Sequence, residues 1–464
     1  TGKNENGLSY GLLAALTTET DSSQWHSYYD PDTIMFHNNY PKKYFISRIK
    51  QDLLSGNSYL GLMSTSSMDD SSHVIALDGM VNLLENQIEI QGQIAMTNRN
   101  KFGILGSFTY SPEGFFSSWL DYQYYDSGFN IDYLGYLWRD NFSQIKLGTK
   151  FQNYELWSIF RNSSILLEIE SEKNTHDLNL GKTLEISCDL MFINYWGIGG
   201  GYYQIQEHFD DRKIYSYYSP ILFGPVIRIP QINGYYFNIS SDKHNKLSST
   251  LSLTYAKNTL GDLEKGRAIE MEYYPNTYLH FSSSYDHYKL DKQNYFLEEL
   301  MGANDSIQYI FSDFTKDLKI YSFRASGNIG KKLSLQIYSE IFQNRDEFSN
   351  YSEYNKYTKS YKTLKEDIYT TDVVLIETSP TLILDPNYYI ELYPRYTSFI
   401  FNSVLKWNYS NGSNLYIIYT SRKSVNGNPF DYLSDFFKYN TEGRWVETLR
   451  DQTIMVKFDY WFEI

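Results

Sequence analysis

Apolar and polar residues alternate along most of this chain with a period of two. In 246–256 (KLSSTLSLTYA), Leu247, Leu251, Leu253 and Tyr255 share one side of an extended backbone. Ser248, Thr250, Ser252 and Thr254 share the other. In 87–96 (QIEIQGQIAM), Ile88, Ile90, Ile94 and Met96 oppose Glu89, Gln91 and Gln93. In 332–341 (KLSLQIYSEI), Leu333, Leu335, Ile337 and Ile341 oppose Ser334, Gln336 and Glu340. A period of two is the signature of β-strands with unlike faces. A soluble sandwich would show the same alternation, so strand length and number carry the distinction. Soluble strands average about 5–6 residues. These runs reach about 10–13, and a tilted membrane-spanning strand needs about 9–11.

The connections sort into two kinds when traced from the C-terminus. Tight turns are expected at 410–414, 330–332, 275–276, 242–245, Trp196, near Asn153, 111–114, 85–86 and 54–57. Longer connections are expected at 424–452, 345–397, 289–306, 257–265, 209–232, 172–181, 126–139, 97–100, 67–72 and 19–42. The two kinds alternate if 307–328 is one long strand. The pattern predicts an all-β fold: a single large antiparallel transmembrane β-barrel of about 20 strands (18–22) over 1–464, with short periplasmic turns and long extracellular loops. Both termini then lie in the periplasm, and the localisation is the bacterial outer membrane. The segment 345–397, with its β-rich centre DVVLIE, is expected to be a plug folded into the barrel or an extracellular cap.

The C-terminus, TIMVKFDYWFEI (453–464), fits the same pattern. Val456, Phe458, Tyr460, Phe462 and Ile464 fall on the lipid side and form a barrel signal for assembly machinery. Lys457, Asp459 and Glu463 face the lumen or the periplasmic rim. Trp119, Trp157, Trp196 and Trp407 stand near expected tight turns and are read as an aromatic belt at the head-group level. Trp461 alternates with the outward set and points inward.

Composition sharpens this picture. The 464 residues include 46 Tyr and 28 Phe, which favours strands over helices. No apolar run approaches the ~18 residues of a spanning helix. A net charge of -14 argues against nucleic acid, which requires clustered Lys and Arg. One cysteine, Cys188, excludes an intramolecular disulfide framework and a thiolate metal site. The chain starts at Thr1 without Met or a signal-peptide pattern, as expected of a processed or truncated chain.

Several stretches resemble one family of Gram-negative outer-membrane proteins common in Bacteroidota-type genomes. They are TGKNENGLSYGLLAALT (1–17), YFISRIKQDLLSGNSYLGLM (44–63), SGFNIDYLGYLWRD (127–140), FGPVIRIP (223–230), LKWNYSNGSNLYIIY (405–419) and VKFDYWFEI (456–464). In that family a family-9-like carbohydrate-binding module precedes a large barrel of unknown function. The module is not among these 464 residues. The resemblance implies a carbohydrate link but supplies no active-site motif.

No catalytic motif stands out. There is no HExxH, G-x-S-x-G, Walker loop or dinucleotide fingerprint. GIGGGYY (197–203) reads as tight packing within a strand. HFDD (208–211) and DHYKLD (286–291) could offer ion ligands, but solvated charge is the simpler account. No catalytic, cofactor or metal residue is therefore expected, and the chain is read as no enzyme. The expected role is transport or surface binding of an oligosaccharide or other polymer. The alternatives are a plugged anchor within an outer-membrane or secretion complex, and, least favoured, an in-barrel hydrolase. Expected partners are outer-membrane lipid and lipopolysaccharide, barrel assembly machinery, other outer-membrane or periplasmic proteins, and oligosaccharide.

Overall fold

The computed structural model describes residues 1–17, 20–26, 34–39, 42–68, 72–131, 135–215, 223–301, 307–368, 373–377, 387–391, 395–426 and 448–461. Among them the only helical element is the 3-10 turn Leu54–Gly56. No described helix is long and apolar enough to cross a membrane. The chain divides into two compact units, 1–153 with 164–186, and 154–163 with 187–464.

The first unit is an antiparallel ladder of Gly2–Lys3, Leu8–Leu16, Lys43–Leu53, Ser58–Ser67, Ser72–Leu83, Ile88–Thr97, Phe102–Tyr110, Phe116–Tyr125 and Phe142–Asn153, each paired to the next. Its register aligns the apolar positions. Tyr10 stands opposite Ile49, Ile49 opposite Leu62, Leu62 opposite Leu77, Leu77 opposite Ile94, and Ile94 opposite Ile104. No described element covers most of this row: Tyr10, Ile49, Leu62, Leu77 and Ile94 are all exposed. A one-residue slip between any two strands would break the row, so the alternation excludes odd shifts, while the choice among even ones is made by pairing and turn geometry.

The second unit repeats the design. Its ladder runs Gly197–Ile205, Ile232–Ser240, Leu247–Asn258, Leu263–Asn276, Leu279–Met301, Ile307–Ile329, Leu333–Asn355, Arg395–Ser410, Ser413–Asn426 and Thr448–Asp459. Ile198, Ile239, Leu251, Ile269, Tyr285, Tyr321, Ile341 and Phe399 form its continuous row. The expected tight turns separate successive strands. At 411–412, Gly412 adopts φ +74°, a conformation that disfavours any side chain.

The segment 307–328 is one strand, Ile307–Ile329. Several expected loops hold strands: 19–42 contains the pair Thr20–His26 and Ile34–Asn39, 209–232 contains Ile227–Ile229 paired with His208–Asp210, and 289–301 and 345–355 continue as strand, so that three neighbouring strands reach 23 residues each. The apolar alternation fades in these extensions, yet they are buried by other means. Tyr309 and Phe311 pack with Ile214, Ile227 and Tyr354, while the intervening Ile310 packs with Leu300, Tyr351 and Leu364. The extension is thus covered on both faces by segments distant in sequence. Beyond Asn355, Ser360–Thr363 pairs back onto the same strand. A separate three-stranded sheet follows, Lys365–Ile368, Val373–Glu377 and Asn387–Glu391. The rest of the expected plug or cap, 369–372, 378–386 and 392–394, lies outside the described residues.

Candidate functional site

The polar face of the first ladder carries a groove, a cavity of about 450 Å³ lined by Arg48, Tyr59, Asp78, Gln91, Gln93, Asp121 and Gln123 among others. Strand alternation places all of them opposite the exposed apolar row. Register then brings them together across strands. Gly61 stands opposite Asp78, Asp78 opposite Gln93, and Gln91 opposite Ser107, which faces Asp121. Arg48 Nη2 lies 2.6 Å from Asp78 Oδ2, and Ser107 Oγ donates to Asp121 Oδ1 at 2.6 Å. Asp78 has room because Gly61 has no side chain: a Cβ there would sit 2.8 Å from Asp78 Oδ1. That oxygen is buried without a protein hydrogen-bond partner. Nearby, the Lys50 ammonium lies 4.4 Å from the Tyr59 ring centroid. Amide, carboxylate, guanidinium and phenol groups alternate here as donors and acceptors, which suits a ligand rich in hydroxyls.

A second, smaller cavity of about 130 Å³ lies in the second unit, lined by Lys213, Arg228, Asp262, Asn294 and Tyr361 among others. Burial is the leading cause of each shift here. It pushes the Lys213 ammonium below its ordinary range, raises the Asp262 carboxyl, and drives Tyr361 up to about 12. Asn294 Nδ2 donates to the Tyr361 hydroxyl at 2.8 Å. The folded-state pKa of Lys213 is below its reference of 10.5. Its charge therefore costs stability in full below the folded value, and the cost disappears as pH rises toward 10.5. Asp262 has the opposite sense: its contribution is present at low pH and is lost as pH rises from 3.8 through its raised value. Lys213→Met is expected to stabilise this region by about 1 kcal/mol near neutrality. Limited proteolysis between pH 7 and 10 checks this. Wild type should gain resistance with pH relative to the Met variant, whose profile lacks that rise.

The tryptophans of the expected belt separate. Trp196 is exposed at its turn, and Trp407 is exposed on the apolar face, opposite Leu333 and Leu415. Trp157 is exposed in its turn and stacks on Phe160. Trp119 departs from the expectation, because it shares the polar face with Asp121 and Gln123. It lies over Gly148 directly opposite, where a Cβ would meet the indole at 2.1 Å. A bare glycine that seats an aromatic ring across the strand gap explains this placement on the polar face. Tyr203 over Gly234 and Tyr236 over Gly201 repeat the device in the GIGGGYY region. Trp461 lies just past the last strand, Thr448–Asp459, where it is exposed and its amide donates to Ser413 Oγ at 2.9 Å. Of the C-terminal signal residues, Val456, Phe458 and Tyr460 are exposed, while Phe462 and Ile464 lie outside the described residues.

The remaining candidates do not assemble. His208 opens the short strand His208–Asp210, and His287 lies inside Leu279–Met301. No group of three or more His, Cys, Asp or Glu that could hold a metal ion occurs among the described residues. Gln91 and Gln93 were visible in the alternation. Arg48 and Asp78 carry a weaker local signal, Arg48 lying between Ser47 and Ile49 and Asp78 between Leu77 and Gly79.

These features define an all-β protein of long antiparallel strands, with one exposed apolar face and one grooved polar face. Residues 1–464 match the family described as Domain of unknown function (DUF5916), and the chain belongs to that family. Among curated proteins, none matches the sequence at a significant level. Two solved structures align at low similarity. The FrpB iron transporter from Neisseria meningitidis (F5-1 variant, apoprotein form) shares 11% identity at a TM-score of 0.43, over 91% of this chain and 65% of that one. The siderophore receptor PirA from Acinetobacter baumannii shares 9% identity at a TM-score of 0.41, over 100% of this chain and 75% of that one. The chain thus spans 65% of the Neisseria protein's length.

Proposed function

We propose that the chain is an outer-membrane β-barrel that binds and passes a hydroxyl-rich oligomer, an oligosaccharide or similar polymer, through a polar lumen. One observation carries the reading: the same strands present a continuous exposed apolar row on one face and the Arg48–Asp78–Gln93 groove on the other. In water such an apolar face would drive aggregation, whereas acyl chains cover it at no cost. Closure into a barrel leaves no unpaired edge in lipid. The tight turns are then periplasmic, as are both termini, and the long strand extensions project outward. The chain is non-catalytic in this reading, and its partners are outer-membrane lipid, lipopolysaccharide, the assembly machinery and the transported oligomer.

Purified protein in a planar lipid bilayer tests this directly. An ohmic current, blocked in a concentration-dependent way by maltohexaose as probe, is expected. The Arg48→Ala/Asp78→Ala pair should weaken the block about tenfold, the loss of one or two charge-assisted hydrogen bonds. A silent bilayer would remove transport and favour a plugged anchor in a larger complex. The buried Tyr309–Phe311–Ile214–Ile227 cluster supports that second reading, since it makes a firm platform for a partner. Mass spectrometry of the gently solubilised protein would then identify the partner.

A further inference from the structure

We propose that the apolar-bearing face of the second unit carries a seat for the phosphorylated headgroup of an outer-leaflet lipid, whose acyl chains lie against the exposed row below it. The proposal rests on the barrel reading and names a ligand for its outer wall. On four neighbouring strands the apolar residues give way, on the same face, to charge. In Leu263–Asn276, Tyr273, Met271 and Ile269 are followed by Arg267 and Lys265. In Leu279–Met301, Phe281 and Tyr285 are followed by His287 and Lys289. In Ile307–Ile329, Phe323 and Tyr321 precede Lys319 and Asp317, and in Leu333–Asn355, Ile341 precedes Arg345.

Register stacks these groups in two adjoining rows. Arg267 stands opposite His287 and His287 opposite Lys319. Lys265 stands opposite Lys289, Lys289 opposite Asp317, and Asp317 opposite Arg345. Adjacent strands are about 4.8 Å apart, so the patch spans roughly 15 Å, the scale of a phosphorylated sugar headgroup. Its guanidinium is held in place. Arg267 Nε donates to His287 Nδ1 at 2.9 Å, and His287 Nε2, then the protonated nitrogen, donates to Asp317 Oδ1 at 2.9 Å. This arrangement occupies Nε of Arg267 and leaves its terminal nitrogens for a ligand. Lys319 Nζ lies 3.7 Å from the same carboxylate, and Arg345 pairs with Glu347 at 2.6 Å. Asp291 shares this face one position beyond Lys289. The cations outnumber the carboxylates, in a chain whose net charge is -14.

The height of the patch matches a headgroup. Ten residues separate Ile329, at the tight turn, from Lys319. That is about 33 Å along the strand and roughly 25 Å across the membrane at a 40° tilt, the height of an apolar band. The cations therefore begin where hydrocarbon ends, on the side of the apolar band away from the tight turns and about midway along the 23-residue strands. The patch is local. At corresponding positions of the first unit, the same face of Ser58–Ser67, Ile88–Thr97 and Phe102–Tyr110 ends in Ser66, Met96 and Phe102, and Lys43–Leu53 and Ser72–Leu83 add a single Lys43 and a single His73 on strands that are not neighbours. Clustered Lys and Arg beside an apolar surface are the physical recognition element for anionic lipid.

Native mass spectrometry of the detergent-solubilised protein with bisphosphorylated lipid A tests the seat, alongside the dephosphorylated lipid and inorganic phosphate. Wild type should retain bisphosphorylated lipid A, and Arg267→Gln/Lys319→Gln should weaken retention about tenfold or more. Lys331→Gln/Lys332→Gln, an equal charge change at the tight-turn end of the strands, should leave it unaltered. Equal retention by the Arg267/Lys319 variant, equal retention of dephosphorylated lipid, or displacement by millimolar inorganic phosphate would each overturn the proposal. Heat-modifiable migration on gels, measured on every variant, reports the barrel separately. Its absence in wild type overturns the barrel reading together with the seat, whereas its presence with unaltered retention overturns the seat alone.

Discussion

Deletion of residues 456–464, or the single change Phe458→Asp, is expected to abolish accumulation of the heat-modifiable protein in the outer membrane. The strand Thr448–Asp459 pairs with Ser413–Asn426 from Val425 opposite Thr448 to Asn414 opposite Asp459. Deletion removes the pairings of Val456, Lys457, Phe458 and Asp459 with Ile417, Tyr416, Leu415 and Asn414. Each backbone group left unpaired in hydrocarbon costs several kcal/mol, so a bared edge there is not sustainable. Phe458 is 62% exposed and stacks on Tyr409, with centroids 5.2 Å apart and planes 12° apart. An aspartate at that position loses the stacking and places a charge on the lipid side. Phe458→Tyr, which keeps the ring, should accumulate normally. Normal heat-modifiable protein from the deletion or from Phe458→Asp would refute the membrane-wall account of this strand.

A pair of adjacent substitutions should separate the two faces with nearly as large an effect. Ile94 is 51% exposed and stands opposite both Leu77 and Ile104 in the apolar row. Ile94→Arg is expected to cost about 2–4 kcal/mol, the penalty for a cation near the bilayer midplane. Gln93 is the preceding residue, yet it faces Asp78 across the ladder and lines the polar groove. Gln93→Arg adds the same charge beside a carboxylate and should change stability by less than about 1 kcal/mol. Urea unfolding of both variants folded into lipid vesicles makes the comparison. Equal costs for the two would mean that the apolar face does not meet lipid.

Much of the strand layout was legible because a period of two is a local property: each residue's neighbours in sequence decide which side it takes. Ile88, Ile90 and Ile94 against Gln91 and Gln93 already separated the two faces, and 307–328 could be read as one strand from the alternation of connections. Legibility failed where apolar alternation stopped. Residues 345–355, RDEFSNYSEYN, look like loop because burial there is supplied by Ile214, Ile227 and Tyr309 from elsewhere in the chain, not by a repeating pattern. Trp119 failed for a related reason: its proximity to a turn was visible, but its partner Gly148 lies 29 positions away and is chosen by register.

The sequence alone determined strand against helix, the positions of most turns and the division into apolar and polar faces, because these follow from backbone geometry and side-chain chemistry one strand at a time. The tertiary structure decided which residues meet. Arg48 reaches Asp78, Trp119 rests on Gly148, and Arg267, His287 and Lys319 fall into one row only through pairing between strands. Register is a property of two chains of hydrogen bonds at once, and no single strand's sequence contains it.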